Sequence, residues 1–170
     1  MSSQIDYRHS STFPAAAVYR ALVDPAYLRA RLAELGGAEA GIVSHRADEH
    51  GAAFTLRHEL DANDLPRAIR SFLTSRLVLE RTEAWTLGAD GRDGTVNVQV
   101  IGAPVPATAD GRLGVADIPG AGSEYRVLAG VTVSVPLFGA SVEEFVAEKV
   151  RELLDLEARF TDRWLKQRAA

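Results

Sequence analysis

A long amphipathic segment near the end of the chain constrains the fold more than any other feature of the sequence. Residues 136–167, PLFGASVEEFVAEKVRELLDLEARFTDRWLKQ, place apolar side chains every three or four positions and charged side chains mostly between them. That spacing is typical of an amphipathic helix with one buried stripe. Ser141 and Glu144 have the spacing of a capping box, so we predict that the helix begins at this motif. A helix of about 28 residues spans roughly 40 Å.

The chain before this helix is mostly strand-like, with apolar and polar residues alternating at period two in its clearest segments. Strands are predicted at 4–10, 38–46, 52–60, 76–88, 95–100, 107–117 and 124–135. Asp110-Gly111 also fits a tight hairpin turn that would divide 107–117, but the two halves would then be very short. We favour one bulged strand there. Strands joined in sequence by short turns predict an antiparallel sheet with one buried face.

Two very short helices are predicted between the first two strands. Ser11 or Thr12 is placed to cap the first helix, which must stop before the Asp24-Pro25 pair because the residue before proline avoids helical geometry. Asp24 then caps the second helix, with Pro25 in its first turn, and Gly36-Gly37 ends it. The Asp-Pro break therefore predicts a bent helical plug.

This order of elements predicts an α+β fold of the helix-grip type. A curved antiparallel sheet of six to seven strands would hold one long C-terminal helix, with the two short N-terminal helices at one end. A sheet that grips so long a helix leaves a wedge-shaped gap beneath it. The Asp24-Pro25 corner and the connector 63–75, which has room for a helical turn, are candidate gates of that gap. We find no linker or repeat, so residues 1–170 are expected to form a single domain.

Composition narrows the class of protein and of partner. Hydrophobic residues make up 46% of the chain and charged residues 25%, as in ordinary globular domains. The net charge of −4 argues against a nucleic-acid partner. There is no cysteine, no signal-like start and no apolar run of about 18 residues, so we expect a cytoplasmic protein without stable membrane insertion. The sequence leaves the oligomeric state open.

Four local motifs carry a resemblance to a known superfamily. They are DPAYLRARL at 24–32, LERTEAWTL at 79–87, GAP at 102–104 and VPLFGASVEEFV at 135–146. With them the whole chain resembles the SRPBCC superfamily, the helix-grip proteins that include START lipid-transfer domains, birch-pollen-allergen-like proteins and polyketide cyclases. Its nearest likeness is to an uncharacterised bacterial branch of unknown function. The resemblance implies a deep hydrophobic cavity for a lipid, polyketide, sterol-like or aromatic ligand, with no shared catalytic residues and no cofactor.

Strand parity and helix spacing select the side chains that would face such a cavity. The candidate ligand-binding residues are Tyr7, Phe54, Leu56, His58, Phe72, Arg81, Glu83, Trp85, Val98, Val100, Tyr125, Val127, Val131, Phe145, Val146 and Val150. For most of them, filling an ordinary core is the simpler interpretation, because a ligand site in this fold is a core left partly unfilled. Small inward residues such as Ala129 indicate some space.

Arg81 and Glu83 share the parity of Trp85, which would direct two charges into an apolar interior. Buried charges are costly unless they are paired. In one interpretation, the two charges pair with each other or with His58 and form a polar spot that orients a ligand headgroup. In the other, a bulge turns them outward or the end of the strand is exposed to solvent. We favour the exposed or structural interpretation.

The histidines offer no metal site, because none of His9, His45, His50 and His58 has the spacing of paired ligands on one element. His58 with Glu83 or Tyr125 is a conceivable acid–base pair. We nevertheless assign no catalytic residue.

Three functions are compatible with these features. The first is binding, transport or sensing of a small hydrophobic or amphipathic molecule, which requires an internal cavity with few polar groups. The second is a cyclase- or hydratase-type enzyme, which requires polar side chains converging in that cavity. The third is a protein-interaction domain, which requires an exposed apolar patch.

Overall fold

The computed structural model of the chain describes residues 3–71, 76–89, 91–102, 106–134, 137 and 139–169. The strands are β1 (Ser3–Ser11), β2 (Gly41–Asp48), β3 (Gly51–Leu60), β4 (Leu77–Leu87), β5 (Arg92–Ile101), β6 (Ala107–Ile118) and β7 (Gly122–Val133). The helices are α1 (Ala15–Leu22), α2 (Pro25–Leu35), α3 (Arg67–Arg70) and α4 (Gly139–Ala169), with a 3₁₀ turn at Ala62–Asp64. The strands form one antiparallel sheet in the order β1-β7-β6-β5-β4-β3-β2.

The predicted α+β helix-grip architecture is confirmed. α4 lies against β1 and β7, α1 packs against β6, β7 and α4, and α2 packs against β2 and α4. The long helix therefore crosses the concave face of a curved sheet, while the two short helices cover one end of that face. The connector after β3 contains helical turns, as expected. None of the helices in the described ranges combines the length and apolar character needed to cross a membrane.

Several predicted strand boundaries are wrong in detail. β6 runs without interruption and pairs residue for residue with β5 and β7, so Asp110-Gly111 forms neither a turn nor a bulge. A shift in register occurs instead in β2, between Ile42 and Ser44. β5 begins at Arg92, three residues before the predicted start at Thr95, because pairing with β4 and β6 extends the strand into the polar segment.

Two predicted helix caps are also wrong. α4 begins at Gly139, so Ser141 lies inside the first turn and cannot cap the helix. α1 has Pro14 at its N-cap, with no capping bond from a side chain of its own segment. Asp117 at the end of β6 supplies the missing acceptor, because its Oδ1 accepts a hydrogen bond from Ala15 N at 2.8 Å. A cap from 102 residues away is beyond what local spacing can predict.

The Asp-Pro corner forms as predicted. Asp24 is the N-cap of α2, and its Oδ1 accepts a hydrogen bond from Ala26 N at 2.8 Å. Just before it, Val23 O lies 2.7 Å from His45 Nε2 on β2. The His45 ring stacks on Phe54, with ring centroids 5.9 Å apart. The corner is therefore fixed to the sheet, which explains how two short helices keep a defined angle.

Replacing Asp24 with alanine tests the contribution of this cap. Asp24→Ala should lower the free energy of unfolding by about 1 kcal/mol, because an N–H at the start of α2 loses its acceptor. Urea denaturation followed by circular dichroism measures the change.

A matched control is Asp61→Ala. Asp61 accepts from Asn63 N in the same manner, but it begins only a three-residue 3₁₀ turn. Its removal should change the stability by less than about 0.5 kcal/mol. Equal losses in the two variants would contradict a special role for the corner.

Candidate functional site

The concave face of the sheet is filled by side chains where the short helices cover it. Tyr19 of α1 meets the Trp85 indole edge to face, with ring centroids 5.8 Å apart. Gly94 on β5 leaves room for the indole, since a Cβ there would lie 3.1 Å from the Trp85 ring. Trp85 and Val115 are 3% and 2% exposed. This half of the interior is therefore a close-packed core.

Towards the other end of the face, Val131 and Val133 of β7 are still buried, but some inward side chains of β4, β5 and α4 are only half-buried. On the sheet these are Leu79 of β4 with Val98 and Val100 of β5, and Leu79 pairs directly with Val100. They lie on the same face as Arg81, which pairs directly with Val98. The sheet thus presents an aliphatic surface next to a buried charge.

α4 carries a matching apolar stripe. Val146, Val150 and Leu153 are half-buried and share a helical stripe with Glu157. Because Glu157 reaches Arg81 on β4, this stripe is turned towards β4. We call the region between the two aliphatic surfaces the apolar gap, bordered by Leu79, Val98, Val100, Val146, Val150 and Leu153, of which Val98, Val146 and Val150 also pack against the core.

A buried ion network closes the inner end of the apolar gap. Arg81 Nη1 donates to both carboxylate oxygens of Glu157, at 2.9 and 3.0 Å, and its Nη2 lies 2.6 Å from Glu83 Oε1. Arg31 Nη1 from α2 lies 3.2 Å from Glu157 Oε2. Trp85 Nε1 donates to Glu83 Oε2 at 2.8 Å. The network joins α2, α4 and β4.

The exposed orientation that we favoured for Arg81 and Glu83 is wrong. Both side chains point inward and are buried, in keeping with their strand parity. They pair with each other, as the alternative interpretation had it, and the remaining charges are balanced by Glu157 and Arg31. Two cations and two anions thus offset each other, which makes their joint burial tolerable.

The ion network and its burial shift the pKa values of the acidic and basic side chains around it. Burial alone would raise the pKa of Glu157, but the Arg31 and Arg81 guanidinium groups lower it to about 2. Burial, with Arg81 nearby, lowers the pKa of His58 to about 4, so this imidazole is uncharged at neutral pH. Burial also raises the pKa of Tyr125, and Glu83 adds to that effect.

Arg31 and Glu157 were not among the predicted site residues, although each leaves a signal in the sequence. Glu157 interrupts the stripe of Val146, Val150 and Leu153, and Arg31 lies among the buried residues of α2. A charge on the apolar stripe of a helix indicates a buried partner elsewhere in the fold. Two such charges of opposite sign could have been matched to the charged pair on β4.

The other predicted lining residues belong to the packed core or lie at its edge. The side chains that belong to the packed core are Phe54, Leu56, Trp85, Val127 and Val131. Tyr7 and Tyr125 are half-buried against that core. Phe145 lies one position off the stripe of α4, with Lys149 Nζ 5.8 Å from its ring centroid. Phe72 lies outside the described residues.

A small cavity lies beneath α1 and α2, next to the ion network. Its lining includes Arg31, Tyr125 and Glu157, and its volume is about 20 Å³. That volume admits about one water molecule and no lipid. Within the described part of the chain, no group of three or more His, Asp or Glu side chains could hold a metal ion.

Glu157 provides a direct test of the network. Glu157→Gln should lower the free energy of unfolding by about 3–5 kcal/mol, because two buried guanidinium groups lose their shared anion. Glu152→Gln is the matched control, since Glu152 pairs with Lys149 on the exposed side of the same helix. It should cost less than about 1 kcal/mol. Similar losses in urea denaturation at pH 7 would contradict the network.

The low pKa of His58 predicts a defined pH dependence of stability. The unfolded chain takes up the proton near pH 6.5, whereas the folded protein takes it up only near pH 4. The contribution of His58 is therefore complete above pH 6.5 and is lost as the pH falls to about 4, a change of about 3 kcal/mol.

A His58→Phe variant should lose this dependence, and the exposed His50→Phe variant should keep it. Unfolding free energies at a series of pH values measure the difference. Parallel profiles for the wild type and His58→Phe would show that Arg81 and burial do not hold the imidazole neutral.

Comparison with known proteins agrees with this architecture. The family described as protein of unknown function (DUF2505) matches residues 6–165. The uncharacterised protein Rv0481c of Mycobacterium tuberculosis is 24% identical over 156 residues, covering 87% of this chain and 88% of that protein. Both proteins are thus matched over most of their length.

Two solved structures share the fold at low sequence identity. A START superfamily protein from Mycobacterium smegmatis has a TM-score of 0.55 and 13% identity, covering 96% of this chain and 97% of that chain. ZhuI aromatase/cyclase from Streptomyces sp. R1128 has a TM-score of 0.59 and 11% identity, covering 100% and 97%. The chain therefore belongs to the DUF2505 family of proteins of unknown function, and it shares its helix-grip fold with these two structures.

Proposed function

We propose that this protein binds a small hydrophobic or amphipathic molecule, such as a lipid or polyketide, in the apolar gap between the sheet and α4. The observation that carries the proposal is the uneven filling of the concave face. The end of that face under the short helices is close-packed, whereas six aliphatic side chains of β4, β5 and α4 towards the other end are only half-buried. Covering half-buried aliphatic surface with an apolar ligand removes it from water and lowers the free energy.

The geometry also suggests the direction in which the ligand lies. The ion network forms the inner end of the gap, and α4 residues such as Val146 are nearer the start of the helix. An apolar chain would lie along α4 with one end near Arg81. The likeness to a START superfamily protein supports a ligand-binding fold of this kind. In this proposal residues 1–170 act as one cytoplasmic domain in transport or sensing, without a nucleic-acid partner.

A cyclase- or hydratase-type activity is the second candidate. His58, Arg81 and Glu83 converge at the inner end of the gap, and one of the similar folds belongs to an aromatase/cyclase. This activity requires at least one of these groups to exchange a proton with the ligand near neutral pH. A protein-interaction role has less support, because the large exposed apolar residues of the described chain, among them Val43, Leu128 and Leu156, lie on separate elements.

Filling the apolar gap with a larger side chain should block uptake. Val98→Trp should weaken binding of the neutral fluorescent probe N-phenyl-1-naphthylamine by at least roughly tenfold, because the indole would occupy the space between β5 and α4. Fluorescence titration measures the affinity, and circular dichroism verifies that the variant is folded.

Gln99→Trp is the control for this test. Gln99 neighbours Val98 on β5 but is exposed on the opposite face of the sheet. This variant should bind the probe as the wild type does. Absence of binding by the wild type would overturn the proposed function, and unchanged binding by Val98→Trp would place the ligand elsewhere.

A further inference from the structure

Two polar side chains border the apolar gap on its sheet side. His58 on β3 pairs directly with Leu79 on β4, which pairs with Val100 on β5. Arg81 pairs with Val98 in the adjacent row of the same face. His58 and Arg81 therefore lie directly beside the aliphatic residues of the gap. Both are 6% exposed, so they are covered almost completely by protein.

Each of these two side chains keeps one polar atom without a partner among the described residues. Arg81 uses Nη1 and Nη2 in the ion network, but its Nε is buried and makes no hydrogen bond there. His58 Nε2 is buried and unpartnered in the same way. A buried polar group without a hydrogen bond costs about 1–3 kcal/mol, and native proteins rarely leave one unpaired. Two such atoms beside one gap indicate a partner that a ligand can supply.

The charges of the network limit the chemistry of that partner. The guanidinium groups of Arg31 and Arg81 are already balanced by the carboxylates of Glu83 and Glu157. A ligand carboxylate would add a third anion close to these two, and like charges at short range repel strongly in a buried site. An uncharged oxygen adds no charge and still accepts a hydrogen bond from Arg81 Nε–H.

His58 suits the same kind of group. Its low pKa leaves the imidazole neutral at pH 7, with one nitrogen that donates and one that accepts. When Nε2 carries the proton it donates to a carbonyl oxygen, and in the other tautomer it accepts from a hydroxyl. Arg31 also has unpartnered nitrogens, but it lines the separate small cavity, which has room for about one water.

We propose that His58 and Arg81 bind the uncharged carbonyl or hydroxyl oxygen at one end of an otherwise apolar ligand. This inference rests on the proposed function, because it requires a ligand in the apolar gap. It adds the chemical class of that ligand: a ketone, ester or alcohol with an apolar body. Free carboxylic acids, which are anionic at neutral pH, are disfavoured.

Three naphthalene probes of similar shape test the inference on the wild-type protein. 2-Acetylnaphthalene carries a ketone, 2-isopropenylnaphthalene replaces the ketone oxygen with a methylene group, and 2-naphthoate carries a carboxylate. The ketone should bind roughly tenfold more tightly than the hydrocarbon, because only the ketone accepts from a charged donor. The naphthoate should bind less tightly than the ketone. Isothermal titration calorimetry gives the three dissociation constants.

Variants of His58 test whether this side chain causes the tighter binding of the ketone. His58→Phe should reduce the preference for the ketone over the hydrocarbon and retain binding of the hydrocarbon. His58→Asn, which restores an uncharged donor, should recover part of the preference. His50→Phe is the matched control, because the His50 side chain is 84% exposed in the turn between β2 and β3.

The outcomes separate this inference from the proposed function. Equal binding of the ketone and the hydrocarbon would overturn the polar recognition and leave an apolar binding site standing. Tightest binding of the naphthoate would overturn the uncharged class of ligand. Failure of the wild type to bind any of the three would remove the proposed function, and this inference with it. The three dissociation constants of the wild-type protein test this inference even if a variant fails to fold.

Discussion

The shared carboxylate of Glu157 is the interaction on which the rest of the interior depends. It lies between Arg81 of the sheet and Arg31 of α2, so one side chain of α4 fixes the helix against two other elements. Desolvating these charges offsets most of their attraction, and such networks add less free energy than an apolar core of equal volume. What the network contributes is position, because only one rotation and one register of α4 bring Glu157 between both arginines.

Contacts on the other flank of α4 fix the same register. The polar contacts of α4 with β1, among them His9 Nε2 to Asp162 Oδ2 at 2.7 Å and Ser11 Oγ to Asp162 Oδ1 at 2.7 Å, fix the opposite flank of the helix. These contacts and the ion network hold α4 on two sides. Val98 and Val150 stay half-buried with α4 in this position.

The parts of this architecture that are local could be predicted from the sequence. Alternation indicated the strands, the helical stripe indicated α4, and Asp24-Pro25 indicated the corner, because each signal is contained within a few neighbouring residues. The partners of Arg81 could not be predicted, since Glu157 lies 76 positions away and belongs to another element. Strand parity directs Arg81 inward. Because the sequence shows no partner for it, the free-energy cost of burying an unpaired charge favours an exposed side chain instead.

The pairing of the carboxylates bears on whether the site recognises a molecule or transforms one. A general acid or base works best when its pKa is near the working pH. The two arginines lower the pKa of Glu157 to about 2, and burial beside Arg81 lowers that of His58 to about 4, so both groups are weak bases at neutral pH. Glu83 pairs with Arg81 and accepts a hydrogen bond from Trp85 Nε1. His58 Nε2 and Arg81 Nε are buried and have no hydrogen-bond partner among the described residues. These pKa values favour the proposed binding of an uncharged polar group over proton transfer.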